Sequence, residues 1–371
     1  MKKLITMALL ASFMLSTFAM PLQATTSATT LSVEEAATRA IRNNTRLVTA
    51  QENELVTYED IRRAREGVFD ARTDIALTNA NVTLMNAELA WSLNIRDIQI
   101  QRENVEFRMT NYFNTVLNAQ ADLELLRANL EMAKRDLAIA ELRLSLGLSS
   151  ELDFETAEIA VIRLENNITA QENTINRAFR NLNSFMGVNV NNLEQRHVLE
   201  LDLSFEPLPE INLNRHMQRF VSESIGVANL EGQARAATYR ADHYIVPHNP
   251  LTGEINRGPG TRTYDEMRIF QSQAVRDVAD ARTAISEGVI ESYNSIRATE
   301  LNIRTVEIEL TRLTRQLAVS ETMLELGRTT SIEVDRLRLQ IAETENSLQQ
   351  LRNSHAIMRI SFENPNIIMG S

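Results

Sequence analysis

Displaced by 180 residues, the sequence falls on itself without a gap, and what repeats is a helical hairpin with a narrow apolar seam. From Asn111 the first copy sets Val116, Leu123, Leu130, Leu137 and Leu144 in one row, and Ala119, Leu126, Ala133, Ala140 and Gly147 in another. Apolar residues at alternating steps of three and four line one side of a helix, as in a coiled coil, and the alanines admit a partner helix closely. After Gly147-Leu148-Ser149-Ser150 the pattern restarts in a new frame at Ala157, Val161, Leu164, Ile168, Ile175, Ala178, Leu182 and Phe185. A connection that short leaves the two helices little choice but to pack antiparallel. In the second copy Ile296, Ile303, Leu310, Leu317 and Leu324 repeat the seam, and Gly327 repeats Gly147. Thr329-Thr330 repeat Ser149-Ser150, and Glu333 repeats Asp153. Heptads match one another easily through composition alone. The glycine, the paired hydroxyls and the acid lie outside the heptad, so their recurrence argues for a tandem repeat.

Composition agrees with long helices. The 371 residues are 43% hydrophobic but only 5% aromatic, and no proline falls between Pro21 and Pro207. The expected fold class is all-α, with long antiparallel coiled-coil hairpins in two tandem repeats and one elongated body rather than a wide core. Lys2-Lys3 before an apolar run from Leu4 to Met20, with a cleavage site after Ala24, reads as an export signal over residues 1–24. An uncleaved anchor is the other reading, and the run is short for a span of about 20 residues. Without that segment 36 basic residues stand against 49 acidic ones, a net of −13. Such a surface disfavours nucleic acid and anionic lipid. The chain has no cysteine, which excludes disulfides, cysteine metal sites and a cysteine-linked lipid anchor.

In chain order, residues 25–30 form a Ser/Thr-rich leader expected to be disordered. Ser32 with Glu35 three residues on predicts a capping box, and the helix it opens should break at Asn43-Asn44. The stretch Leu31-Ser32-x-Glu34-Glu35-Ala36-x-x-x-Ala40-Ile41-x-Asn43-Asn44-x-x-Leu47 resembles the entry motif of the TolC-type outer membrane efflux proteins. Tyr112-Phe113, the seamed arm, the Gly147-Leu148 tip, the closing Asn183-x-Phe185-Met186-Gly187 and the duplication fit the same pattern. The resemblance covers nearly the whole chain after residue 24. It divides the chain into a first helical repeat (31–187), a linker (188–212), a second repeat (213–364) and a tail (365–371).

Two inserts depart from that family, in which each half carries two membrane strands and three chains pool them into a barrel. A transmembrane strand needs about 9–11 residues of alternating apolar character. Residues 67–79 carry Asp70, Arg72 and Asp74 and one aromatic, so a turn is expected there instead of strands. The Pro/Gly-rich stretch 241–270 reads as a loop with one short strand at 243–246. The descending helix, read as 80–146, should measure about 100 Å, with two shorter helices stacked end to end beside it.

Signals for chemistry are few. His243 and His248 flank Pro247 with no third ligand near them, so no metal site is expected, nor any cofactor. No phosphate loop, nucleophile elbow or His-Glu-x-x-His occurs, and the chain does not read as an enzyme. The tips stand out. Gly147 and Gly327 suit a left-handed residue past a helix end. Ser149-Ser150 and Thr329-Thr330 can cap the returning helices, with Asp153 and Glu333 favoured in the first turn. That structural account suffices for each of these residues. The resemblance implies more: tips formed by Gly147, Leu148, Ser149, Ser150, Gly327, Arg328, Thr329 and Thr330 dock a periplasmic adaptor (membrane fusion protein). It also implies an aperture lined by Asp153 and Glu333, with Arg336 standing where a further acid can occur. By the same token the chain is expected to be a homotrimeric exit duct in the outer membrane or cell envelope, passive, and served by an inner-membrane transporter. The alternative is a barrel-less soluble or peripheral envelope scaffold.

Overall fold

The computed structural model describes residues 30–246, 248, 252–255 and 262–368. The expected signal segment and all of the leader except Thr30 lie outside the described residues. Thr30 itself opens a strand.

Strand β1 (Thr30–Ser32) leads into helix α1 (Val33–Asn43), and Ser32 accepts the Glu35 N–H at 3.2 Å. Only that arm of the expected capping box forms, because the Glu35 carboxylate turns forward to Arg39 at 2.5 Å. Asn44 then ends α1 and caps α2 (Thr45–Asp70), accepting from the amides of Arg46 and Leu47. The turn foreseen across residues 67–79 is confined to 71–73, and α3 (Asp74–Ser145) begins six residues earlier than periodicity suggested. Thr73 is its N-cap, accepting from the Ala76 amide at 3.2 Å. No strand forms between residues 65 and 83. At 72 residues α3 is about 108 Å long.

The remaining elements are α4 (Glu151–Phe185), a 3-10 turn (Val190–Asn192), β2 (Val198–Glu200), α5 (Leu213–Glu223), α6 (Ile225–Asp242), α7 (Tyr264–Glu325), α8 (Ser331–Glu363) and α9 (Pro365–Ile368). The two repeats superpose in sequence as well as in kind. A shift of 180 carries both ends of α1 onto α5, the starts of α2 and α4 onto those of α6 and α8, and the end of α3 onto that of α7. Residues 243–246 are not a strand; the only pairing among the described residues of this insert is a bridge between His248 and Ile255.

Helices α2 and α4 pack along α3, and α6 and α8 along α7, so each long helix is flanked by two shorter ones. The halves join where α3 meets α6 and α8. The core sits in the middle of the molecule. There β1 and β2 pair in parallel, α1 lies on α3, and Phe113, Met109, Phe179 and Leu182 are fully enclosed. Each such side chain contributes about 2–3 kcal/mol of apolar burial. A smaller cluster in the second half gathers Phe220, Val289, Ile296 and Phe362. Toward the tips only the two hairpins, α3 with α4 and α7 with α8, remain, and seam residues such as Leu130, Leu137 and Leu144 are half-buried.

The entry and closing motifs among the residues that carried the family resemblance meet at this middle. Gly187, at φ +76°, lies so close to Asn43 that the Asn43 side chain donates to the Met186 carbonyl at 2.9 Å. Tyr112 packs on Phe185, ring centres 5.0 Å apart, and the Asn183 amide donates to the Leu193 and Gln195 carbonyls, both at 2.8 Å. Entry and closing motifs are thus two sides of one joint, which also anchors the linker. No helix of the described residues is long and apolar enough to cross a membrane.

Candidate functional site

Each hairpin tip is a helix stop followed at once by a helix start. At the first, Gly147 takes φ +69° and its N–H reaches the Leu144 carbonyl at 2.9 Å, while the Leu148 N–H reaches that of Arg143 at 2.8 Å. These two bonds are the Schellman pair that satisfies the last carbonyls of a helix. The second tip repeats them around Gly327, at φ +68°, with Leu324 and Met323 as acceptors at 2.9 and 2.8 Å. An added Cβ would meet nothing at either glycine, so backbone conformation alone accounts for them.

The returning helices open with complete capping boxes. Ser150 accepts the Asp153 N–H at 3.2 Å, and Asp153 Oδ2 accepts the Ser150 N–H at 3.0 Å. The hydroxyls of Ser149 and Ser150 also donate to that oxygen, at 3.1 and 2.8 Å. Thr330 and Glu333 form the same reciprocal pair, and the Thr329 hydroxyl donates to Glu333 Oε2. Bonds from the Ser150 hydroxyl, then from the Ser150 amide and the Ser149 hydroxyl, hold the Asp153 carboxyl below its usual range. The Thr329 hydroxyl, followed by the Thr330 amide, does the same for Glu333. Each acid is thus held in the tip through one carboxylate oxygen, Asp153 Oδ2 and Glu333 Oε2, and these bonds favour its charged form.

Six of the named tip residues are thus helix punctuation. The other two are free: Leu148 is 73% exposed, and the Arg328 side chain is exposed with no partner among the described residues. Arg336 makes no direct bond to Glu333, although its charge also favours the ionised form of that carboxyl. It crosses to the first hairpin and bonds Asp136 at 2.6 Å, while Arg135 bonds Asp335 at 2.7 Å. Two opposite-charge dipeptides, Arg135-Asp136 and Asp335-Arg336, therefore brace the hairpins to one another just above the tips. Heptad reasoning passed over this brace, because its residues lie off the seam. Their matched charges were the signal that could have found it.

Within each hairpin another ion pair recurs with its charges exchanged. Arg127 meets Glu172 at 3.3 Å in the first, and Glu307 meets Arg352 at 2.8 Å at the positions 180 residues on. Among the described residues no group of acids and histidines is placed to hold a metal ion. His243 and His248 each turn a ring nitrogen to a nearby backbone carbonyl, of Tyr239 and Val246 respectively.

Solved structures resemble this arrangement from end to end. A structure described as CusC, reported with conformational changes accompanying folding and transmembrane channel formation, aligns over 90% of this chain and 91% of its own at 13% identity and a TM-score of 0.61. The outer membrane protein VceC of Vibrio cholerae aligns over 88% and 95% at 11% identity, also with a TM-score of 0.61. The chain has the TolC-type outer-membrane-channel fold. The CmeC outer membrane channel of Campylobacter jejuni agrees, with 91% and 85% coverage, 10% identity and a TM-score of 0.57. No protein-family model matches the sequence, and neither does any curated protein sequence. The fold survives where sequence similarity has nearly vanished, because it needs only seams, stops and caps.

Proposed function

We propose that the chain is a duct component of a TolC-type efflux assembly. Three copies enclose a passive tube, and the hairpin tips meet a periplasmic adaptor fed by an inner-membrane transporter. The observation that carries this reading is the pair of tips. Two hairpins whose descending helices are about 108 and 93 Å long end in the same fully capped turn, which presents an exposed side chain, Leu148 or Arg328, at its end. A rigid end with an unengaged apolar or cationic group suits docking better than catalysis. The fixed charges of Asp153 and Glu333 sit one turn behind, where they would line the mouth of a tube.

A second reading rests on the opposite end. The three-residue link 71–73 joins α2 to α3 where the channel proteins' membrane strands would be expected. That turn favours a barrel-less envelope scaffold, held at the outer membrane by a partner and not by strands of its own in this insert.

The readings part in a retention assay. Cells lacking the chain should retain more of a fluorescent efflux dye. The wild-type chain should restore export, and Leu148→Asp, with its helical signal intact, should not. Unchanged dye retention in cells without the chain would remove the duct reading and leave the scaffold.

A further inference from the structure

We propose that the groove walled by α3, α5, α6 and α7 binds an anionic amphiphile, a small molecule with an apolar body and a phosphate or carboxylate head. The site lies within one chain and is independent of the duct reading. Its volume is about 620 Å³, inside the range of about 300–1,000 Å³ common to small-ligand pockets. The first repeat supplies one wall through α3, and the second supplies the others. Gly232 lets α6 press hard on α3 here, because a Cβ added to it would run into the Leu89 side chain. Residues on both sides of the Ser224 break between α5 and α6 line the groove.

The lining is divided in character. Leu89, Leu93, Met217, Val221 and Val227 are apolar, and the first four are only half-buried, so an apolar body laid on them removes surface from water. Three arginines, Arg96, Arg235 and Arg282, share the groove with one acid, Glu231. Arg282 takes that acid at 2.7 Å. Arg96 and Arg235 make no side-chain hydrogen bond or ion pair among the described residues. The groove is thus locally cationic on a chain with 49 acidic residues against 38 basic ones. Guanidinium forks match carboxylate and phosphate oxygens in pairs. Ser92, Asn214 and Gln218 add hydrogen-bonding groups that suit the same head. A neutral hydrocarbon would leave both arginines unmatched, and a bare anion would leave the apolar lining wet. Only a ligand with both parts answers the whole groove.

Calorimetric titration of the purified chain tests this, with octyl phosphate kept below its micelle-forming concentration and with octanol and inorganic phosphate as controls. Octyl phosphate should fill a single site per chain, about tenfold or more tighter than either control. Arg96→Gln and Arg235→Gln should each weaken it about five- to tenfold. Met217→Ala should weaken octyl phosphate and leave inorganic phosphate unchanged. Arg163→Gln, exposed on α4, should change nothing. Melting temperatures without ligand should match the unsubstituted chain, so that a lost fold does not pass for a lost site. A short two-chain phosphatidate separates the sources of the head: binding tighter than octyl phosphate assigns a membrane lipid, weaker binding a free amphiphile, and either upholds the site. Inorganic phosphate binding as tightly as octyl phosphate, affinity that survives both arginine variants, or no binding at all would overturn the proposal. So would affinity that falls as the chain associates, because a second copy would then fill the groove.

Discussion

Gly187→Ala and Gly147→Ala make a matched experiment on one conformation in two surroundings. Both glycines are left-handed, at φ +76° and +69°, and an alanine held there costs about 1 kcal/mol in backbone alone. At the tip the cost should stop there, because an added Cβ at residue 147 meets nothing within 4 Å. At residue 187 the same atom would fall 2.5 Å from Asn43 Cβ, 2.6 Å from its Cγ and 2.7 Å from its Nδ2. That side chain must then move and give up its 2.9 Å bond to the Met186 carbonyl. Overpacking adds about 1–3 kcal/mol, and the lost bond about 1 kcal/mol. Gly187→Ala should therefore cost about 3 kcal/mol or more, roughly three times the tip variant. Urea unfolding followed by the helical circular dichroism signal measures both. Equal losses, or a smaller one at residue 187, would refute the claim that the entry and closing motifs form a tight joint.

Three further outcomes follow from the tips and the brace. Removing the cap hydroxyl in Ser150→Ala or Thr330→Ala should cost about 1 kcal/mol each, read as faster amide exchange in the first turns of α4 and α8. The Asp153 and Glu333 carboxyls titrate below their ordinary range, so their contribution is present above the unfolded carboxylate pKa and is lost as pH falls through the lower folded pKa. Carboxyl NMR titration should find both still ionised where other exposed acids protonate, and Ser149→Ala should move the Asp153 midpoint upward. In the brace, a double-mutant cycle on Arg135 and Asp335 should return a coupling below about 1 kcal/mol that shrinks with salt, because the Arg135 side chain is 57% exposed.

Much of this molecule was legible before its structure. The seam residues Val116, Ala119 and Leu123 are buried, the tip glycines are left-handed, and the 180-residue shift reproduces to the residue both ends of α1, the starts of α2 and α4 and the end of α3. These features are local, set by periodicity, by φ and by a hydroxyl three residues from an acid. What escaped was nonlocal or competed with a stronger neighbour. Gly67 lies within α2, because buried Ile61 and Ala64 fasten that face of the helix and the true stop waits for Thr73 to cap α3. Glu35 serves Arg39 rather than its cap. The brace between residues 135–136 and 335–336 depends on which hairpins lie together, which no heptad records.

The central claim, that copies of this chain assemble into a duct, is tested most directly by the mass of the purified protein in solution. Multi-angle light scattering, run first in plain buffer and then in detergent, separates the outcomes. The account predicts three chains per particle under at least one of these conditions. A helical monomer in both would contradict it and assign the hairpins to the scaffold.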